Sequence, residues 1–217
     1  REKPIVQESI EKLLAFDIEE IIIVTGFASE YYEKLAGHYD CIKMIKNEKF
    51  ADSGSMYSLA CARALIKRNF LLLESDLIYE MTALDALQSS AFPSSILLSG
   101  QTNSGDEVYV DVKKDRIFHI SKKREDVQNL GGELVGISRI SLAFYQEMLK
   151  EADRLFKTNL NCEYDTGCIS AVAKKTEIFA TKVDDLVWSE VDNEEHLNRA
   201  RQKIYPEIVE RDLQFQR

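Results

Sequence analysis

The stretch Phe70-Leu71-Leu72-Leu73-Glu74-Ser75-Asp76-Leu77-Ile78-Tyr79 most narrows the folds open to this chain. Its run of consecutive apolar residues suits a strand covered on both faces, as in a parallel sheet packed between helices. Glu74 and Asp76 stand where that strand ends, and in open α/β sheets this edge is where ligands bind. Residues two apart on a strand point to the same side, so both carboxylates can face one cleft. Two acids beside an apolar run are costly unless they are paired, hydrated or holding a cation. The plainer alternative gives Asp76 only the turn after the strand.

The flanking sequence repeats the α/β theme. Pro4 suits a helix start, and Ile5, Ile10, Leu13 and Leu14 supply an apolar stripe. Residues 20–26 read as a buried strand closed by a glycine turn, 28–38 as a helix and 41–45 as a second strand. This alternation predicts crossover helices and a parallel sheet. A polar loop over 47–56 feeds a helix expected over 55–68. Asp52, Ser53 and Ser55 are cap types there, and Gly54 permits close approach of a ligand to the backbone. Residues 81–89 and 141–156 read as helices. Residues 95–99, 107–112, 116–120 and 132–139 read as strands, with Lys114-Asp115 as a hairpin turn. Glu163-Tyr164-Asp165 opens another helix, and 178–183 and 186–191 are the last strands. Asp192, with Glu195 three residues on, reads as a capping box for the final helix.

A chain of 217 residues, 45% hydrophobic and 30% charged, fits one large α/β domain. Its net charge of −9 argues against a general nucleic-acid binder but permits a local cationic or metal-loaded pocket for a small anion. No apolar run approaches the roughly 20 residues of a membrane span, and no signal-peptide pattern is present. The expectation is a cytoplasmic protein with no nucleic-acid or membrane partner. Cys41, Cys61, Cys162 and Cys168 form no CxxC pair and read as reduced thiols. His38, His119 and His196 lack partners that suggest nucleophilic chemistry. Singly, the serines read as caps, and Lys122 as a residue of a solvated loop.

Their order carries more. The strand ending in Thr25-Gly26, then Asn47 with Ser53-Gly54-Ser55, then the Phe70 to Asp76 stretch, then Trp188-Ser189-Glu190-Val191-Asp192 before a C-terminal helix resemble the nucleotidyltransferase family. Within it, they resemble the cytidylyltransferases that activate phosphocholine or 2-aminoethylphosphonate. Ser104-Gly105-Asp106-Glu107-Val108-Tyr109, Gly132-Glu133-Leu134-Val135-Gly136 and Trp188-x-Glu190-x-Asp192-Asn193-Glu194 look most like the 2-aminoethylphosphonate enzymes. The resemblance covers essentially the whole chain. It implies a three-layer α/β/α Rossmann-like (GT-A-like) fold with a mostly parallel central sheet, in a single domain over 1–217. The family opens with a strand and a glycine-rich G-x-G-x-R loop followed by Pro-Lys, whereas Lys3-Pro4 matches a later Lys-Pro. The resemblance therefore implies that the first strand and phosphate loop lie upstream of this sequence.

The activity so implied is transfer of CMP from CTP to 2-aminoethylphosphonate, assisted by Mg2+, with pyrophosphate leaving. Phosphocholine and a sugar 1-phosphate are the alternative acceptors. Alternatives of another class are a catalytically silent nucleotide-binding regulatory domain and a metal-dependent glycosyltransferase, in which Glu74-Ser75-Asp76 would stand for the usual D-x-D. By resemblance, Asp76 and Asp192 are the catalytic metal ligands, with Glu190 as a third. Ser53, Gly54 and Ser55, with Asp76, bind the nucleotide. Asp106, Glu107, Lys122, Tyr164, Asp165 and Trp188 receive the acceptor. Further partners are other phosphonate-pathway enzymes, fused or adjacent.

Overall fold

A computed structural model describes residues 3–215. Helix α1 (Ile5–Ala15) starts after Pro4 and buries Ile10 and Leu13. Strand β1 (Ile21–Thr25), helix α2 (Ser29–Ala36) and strand β2 (Ile42–Lys46) form a crossover unit in which β1 and β2 pair in parallel. Helix α3 (Ser55–Cys61) tightens into a 3-10 turn at Ala62–Ala64, short of its expected end. The apolar-acidic stretch splits into β3 (Phe70–Leu73) and an unanticipated β4 (Leu77–Tyr79), with Glu74, Ser75 and Asp76 between them. Helix α4 (Thr82–Gln88) and strand β5 (Ser95–Ser99) follow.

Strands β6 (Tyr109–Lys113) and β7 (Arg116–Ser121) form the expected hairpin. Lys114 and Asp115 have φ of 51° and 62°, as a two-residue turn matched to strand twist requires. Strand β8 (Leu130–Ile140) leads into α5 (Leu142–Leu155), capped by the Ser141 hydroxyl, which accepts from the Phe144 amide. Where an ordinary helix is expected, a π-helical turn at Tyr164–Ile169 runs into α6 (Ser170–Val172). Strands β9 (Phe179–Val183) and β10 (Trp188–Glu190) precede α7 (Glu194–Arg199). A second π-helical turn at Ala200–Ile204 then continues into α8 (Tyr205–Phe215).

The main sheet has the order β3-β8-β5-β9-β7-β6. Strands β3, β5 and β9 run one way, and β5 pairs with β9 in parallel. The sheet carries more antiparallel pairing than expected because β8, returning from the hairpin, inserts between β3 and β5 and runs against both. Both faces are covered. Ile96 and Leu98 of β5 pack with Met56, Phe144 and Met148 on one side, while Leu97 between them packs with Ile10, Leu13 and Leu84 on the other. Phe70 and Leu72 likewise face the first cluster and Leu71 and Leu73 the second. Two-sided burial is why these strands read as unbroken apolar runs rather than as alternating ones.

Antiparallel pairing of β4 with β10 brings distant parts of the chain together, with Glu190 opposite Leu77. The Val191 amide extends that ladder by donating to the Asp76 carbonyl at 3.0 Å. Helix α8 braces the ladder from behind: Arg211 reaches Glu80 and Asp185, and Asp212 accepts from the Met81 amide and pairs with Lys12. All four cysteines are free. Among the described residues, no helix is long and apolar enough to cross a membrane.

Candidate active site

The residues around Asp76 form a strongly acidic region. One carboxylate oxygen of Asp76 is buried with no hydrogen-bond partner among the described residues. Burial, with a smaller push from Asp192, raises its pKa. Glu190 is pushed up to about 7, first by burial and then by Asp76 and Asp192. Glu74 is pushed up to about 8, first by burial and then by Asp165, Glu190 and Asp76. Asp165 is raised by burial as well. Tyr164 is 3% exposed, and its hydroxyl lies beside Glu74 without meeting hydrogen-bond geometry. Carboxylates gathered in this way repel one another and shed water, so the arrangement favours a cation from outside.

Asp192 is available for that cation because it does not cap α7. The capping-box expectation is overturned by one residue: the Asn193 side chain accepts from the His196 amide at 2.9 Å. Asn193 is as good a cap as Asp and sits three residues before that amide. The Asp192 side chain stays about half exposed. Asp76 with an unpartnered buried oxygen, the non-capping Asp192 and Glu190 offer carboxylate oxygens of the kind Mg2+ takes. Among the described residues, the ligand atoms that lie within 4.8 Å of one another are those of Asp106, Asp192 and His196.

Next to these acids lies a cavity of about 130 Å³, lined in part by Asp106, Glu133, Trp188, Glu190, Arg199 and Lys203. Glu133 projects from β8 and accepts from the Thr102 amide at 2.8 Å and its hydroxyl at 2.9 Å, which ties the 100–108 loop over the opening. Burial raises the Glu133 carboxyl, and Glu107 and Asp106 add to this. Arg199 donates to the Ser189 hydroxyl at 3.3 Å. One wall of the cavity is thus acidic, and the helical wall brings two cations.

The structure gathers Asp76, Asp192, Glu190, Asp106, Trp188, Tyr164 and Asp165 around this region, with Glu107 close to Glu133. Lys122 stands exposed on the turn after β7 and does not line the cavity. The serine segment is engaged internally. Ser53 donates to the Lys49 carbonyl and accepts from Asn47, while Ser55 donates to Glu163 at 2.5 Å and accepts from the Tyr164 amide. The Gly54 amide donates to the Leu160 carbonyl. A Cβ at Gly54 would stand 2.5 Å from the Cys162 carbonyl oxygen, so the close approach it permits is to the chain's own backbone. Glu133, Arg199, Lys203 and His196 carry no site role in the sequence reading, and Glu74 only that of an acid facing the same cleft as Asp76. The i, i+4 spacing of Arg199 and Lys203 is the one signal that aligned them on a single helical face.

An acidic region at the strand ends and a small polar cavity beside it thus make up the candidate site. No protein-family model matches the chain. The bifunctional IPC transferase and DIPP synthase of Thermococcus kodakarensis is 23% identical over 207 residues, covering 93% of this chain and 44% of that protein. The choline-phosphate cytidylyltransferase of Streptococcus pneumoniae is 24% identical over 126 residues, covering 54% of this chain and 55% of that protein. The chain therefore spans about half the length of the curated relatives it matches. Among solved structures, the inositol-1-phosphate CTP transferase from T. maritima superposes with a TM-score of 0.78 at 19% identity, covering 94% of this chain and 82% of that one. The sequence likeness is thus to cytidylyltransferases at 23–24% identity, and the superposition shows a fold shared with a CTP transferase.

Proposed function

We propose that this chain transfers the cytidylyl group of CTP to 2-aminoethylphosphonate. The observation that carries this reading is charge placement. Glu74, Asp165 and Glu190 are drawn together without an ion pair to any basic side chain among the described residues, and Arg199 and Lys203 stand across the neighbouring cavity. An acceptor with a primary ammonium at one end and a phosphonate at the other answers both. Three N–H donors of an ammonium suit several carboxylates, whereas a quaternary choline offers none and relies on aromatic faces.

In the proposed reaction, Arg199 and Lys203 orient the phosphonate, and Tyr164, Glu74 and Asp165 hold the ammonium. A phosphonate oxygen forms a bond to the α-phosphorus of CTP as the bond to the β-phosphate bridge breaks, and pyrophosphate leaves in line. Asp76 and Asp192, with Glu190, would hold Mg2+, which supplies charge neutralisation at the phosphates. The Ser53 to Ser55 segment forms the nucleotide side. The triphosphate grip is assigned to the strand and glycine-rich loop upstream of this sequence. That strand would sit against the edges that β1 and β3 leave without strand partners among the described residues. The enzyme would act in the cytoplasm beside or fused to other phosphonate-pathway enzymes.

The test supplies the full-length protein with CTP, Mg2+ and, separately, 2-aminoethylphosphonate, phosphocholine or a sugar 1-phosphate, and follows pyrophosphate. Release with 2-aminoethylphosphonate, abolished in Asp76→Asn at unchanged circular dichroism, is the expected result. Preference for either other acceptor overturns the acceptor assignment. CTP binding without pyrophosphate from any acceptor makes the chain a silent regulatory domain.

A further inference from the structure

His196 alters the donor set at Asp192. Asn193 fixes the histidine on the first turn of α7 through its amide. The ring then lies between two carboxylates, with Nε2 3.7 Å from Asp106 and Nδ1 3.6 Å from Asp192. Both separations are longer than a hydrogen bond. Nδ1 is nevertheless buried and has no hydrogen-bond partner among the described residues. One donor atom from each of Asp106, Asp192 and His196 lies within 4.8 Å of the other two. Donor atoms that share an ion at about 2.1 Å stand roughly 3.0–3.4 Å apart. The Nδ1–Asp192 separation of 3.6 Å lies just outside that span, and the half-exposed Asp192 side chain has no capping duty to hold it there.

We propose that His196 Nδ1 is a nitrogen ligand of the divalent ion held by Asp192, with Asp106 accepting from Nε2–H, and that the site thereby favours Mn2+ or Co2+ over Mg2+. This rests on the assignment of Asp192 to the metal. Carboxylate oxygens alone suit Mg2+, whereas an imidazole adds affinity for later divalent ions. A carboxylate behind the ring fixes its tautomer and raises its basicity, the usual support for a ligating histidine. The three residues come from the 100–108 loop, the end of β10 and the first turn of α7. The ion would therefore also fasten the loop that closes the acceptor cavity.

The test loads the full-length protein with Mn2+ alone and reads nitrogen hyperfine coupling at the bound ion by pulsed electron paramagnetic resonance. Affinities for Mn2+ and for competing Mg2+ are measured in parallel. Wild type should show the coupling and His196→Gln should lose it. In that variant Mn2+ affinity should fall about tenfold and Mg2+ affinity by less than about twofold. Asp106→Asn should keep the coupling at reduced affinity. Asp76→Asn, which stops turnover on the reading above, should still show the coupling at saturating Mn2+. Loss of catalysis and loss of the histidine ligand are thereby separate results. Absence of nitrogen coupling in Mn2+-loaded wild type overturns the proposal, and so does an equal fall in Mn2+ and Mg2+ affinity in His196→Gln.

Discussion

Replacing Glu74 by Gln should remove the Glu74 share of the pH dependence of stability in the metal-free protein between about pH 5.5 and about pH 8, leaving that of Glu190 in place. The ordinary carboxyl value of 4.5 rises to about 8 at Glu74, mainly through burial and then through Asp165, Glu190 and Asp76. A group whose folded pKa is raised above its unfolded value gives stability that is fully present below the unfolded pKa. That stability is lost as pH rises through the folded pKa. Across the intervening window the loss approaches about 1.4 kcal/mol per pH unit. Between about pH 5.5 and about pH 8 this integrates to about 3 kcal/mol, with a reasonable range of 2–4 kcal/mol. Glutamine keeps the shape and carries no charge, so it lacks that slope, while Asp165 and Glu190 remain in both proteins. Urea unfolding in a chelator at a series of pH values reads the difference directly. The variant should gain on wild type by about 3 kcal/mol from the acid to the alkaline end of this window. Stability curves that stay parallel within about 0.5 kcal/mol would refute the reasoning and return Glu74 to ordinary surface behaviour.

Gly136 has φ +80°, and an added Cβ would stand 2.5 Å from a Glu74 carboxylate oxygen and 3.1 Å from Leu77. Gly136→Ala should therefore cost about 1–3 kcal/mol in urea unfolding. Lys12 pairs with Asp212 at 2.9 Å and Glu8 at 3.2 Å, with little of any of these side chains exposed. Lys12→Met should cost about 3 kcal/mol by leaving those acids unpaired, and Asp212→Asn in the same chain should recover part of the loss. Tyr164→Phe removes a buried hydroxyl that has no hydrogen-bond partner among the described residues. Unfolding should move by less than about 0.5 kcal/mol, while KM for 2-aminoethylphosphonate rises about tenfold at unchanged kcat.

What could be read from sequence follows the range of the interactions involved. The β3 run was legible because burial on both faces leaves a local, unbroken apolar signature. Strand β4 was not, since Leu77–Tyr79 follows Asp76 without turn punctuation and exists only through pairing with β10 far along the chain. Asp192 and Asn193 are adjacent residues of equal capping type, and only the backbone decides which one turns inward. Glu133 sits in an apolar strand whose pattern gives no sign that Thr102 satisfies it across the sheet edge. Arg199 and Lys203 resemble the solvated charges of any amphipathic helix until the cavity beneath them is seen. Asp76 stood out locally, at the end of an apolar run, whereas its proposed partnership with Asp192 came only from the order of motifs, because nothing local joins them.

Ser55 has a consequence for anyone who would redirect this chain to another acceptor. Its one hydroxyl splices two segments, accepting from the Tyr164 amide and donating to Glu163, while the amides of Gly54 and Met56 donate to the carbonyls of Leu160 and Cys162. The 160–164 stretch, which carries Tyr164 beside Glu74, is thus cut to the length of the serine loop. Side chains there can be exchanged, but a single inserted or deleted residue would uncouple both segments at once. On the proposed function, acceptor choice is open to substitution and closed to changes of loop length.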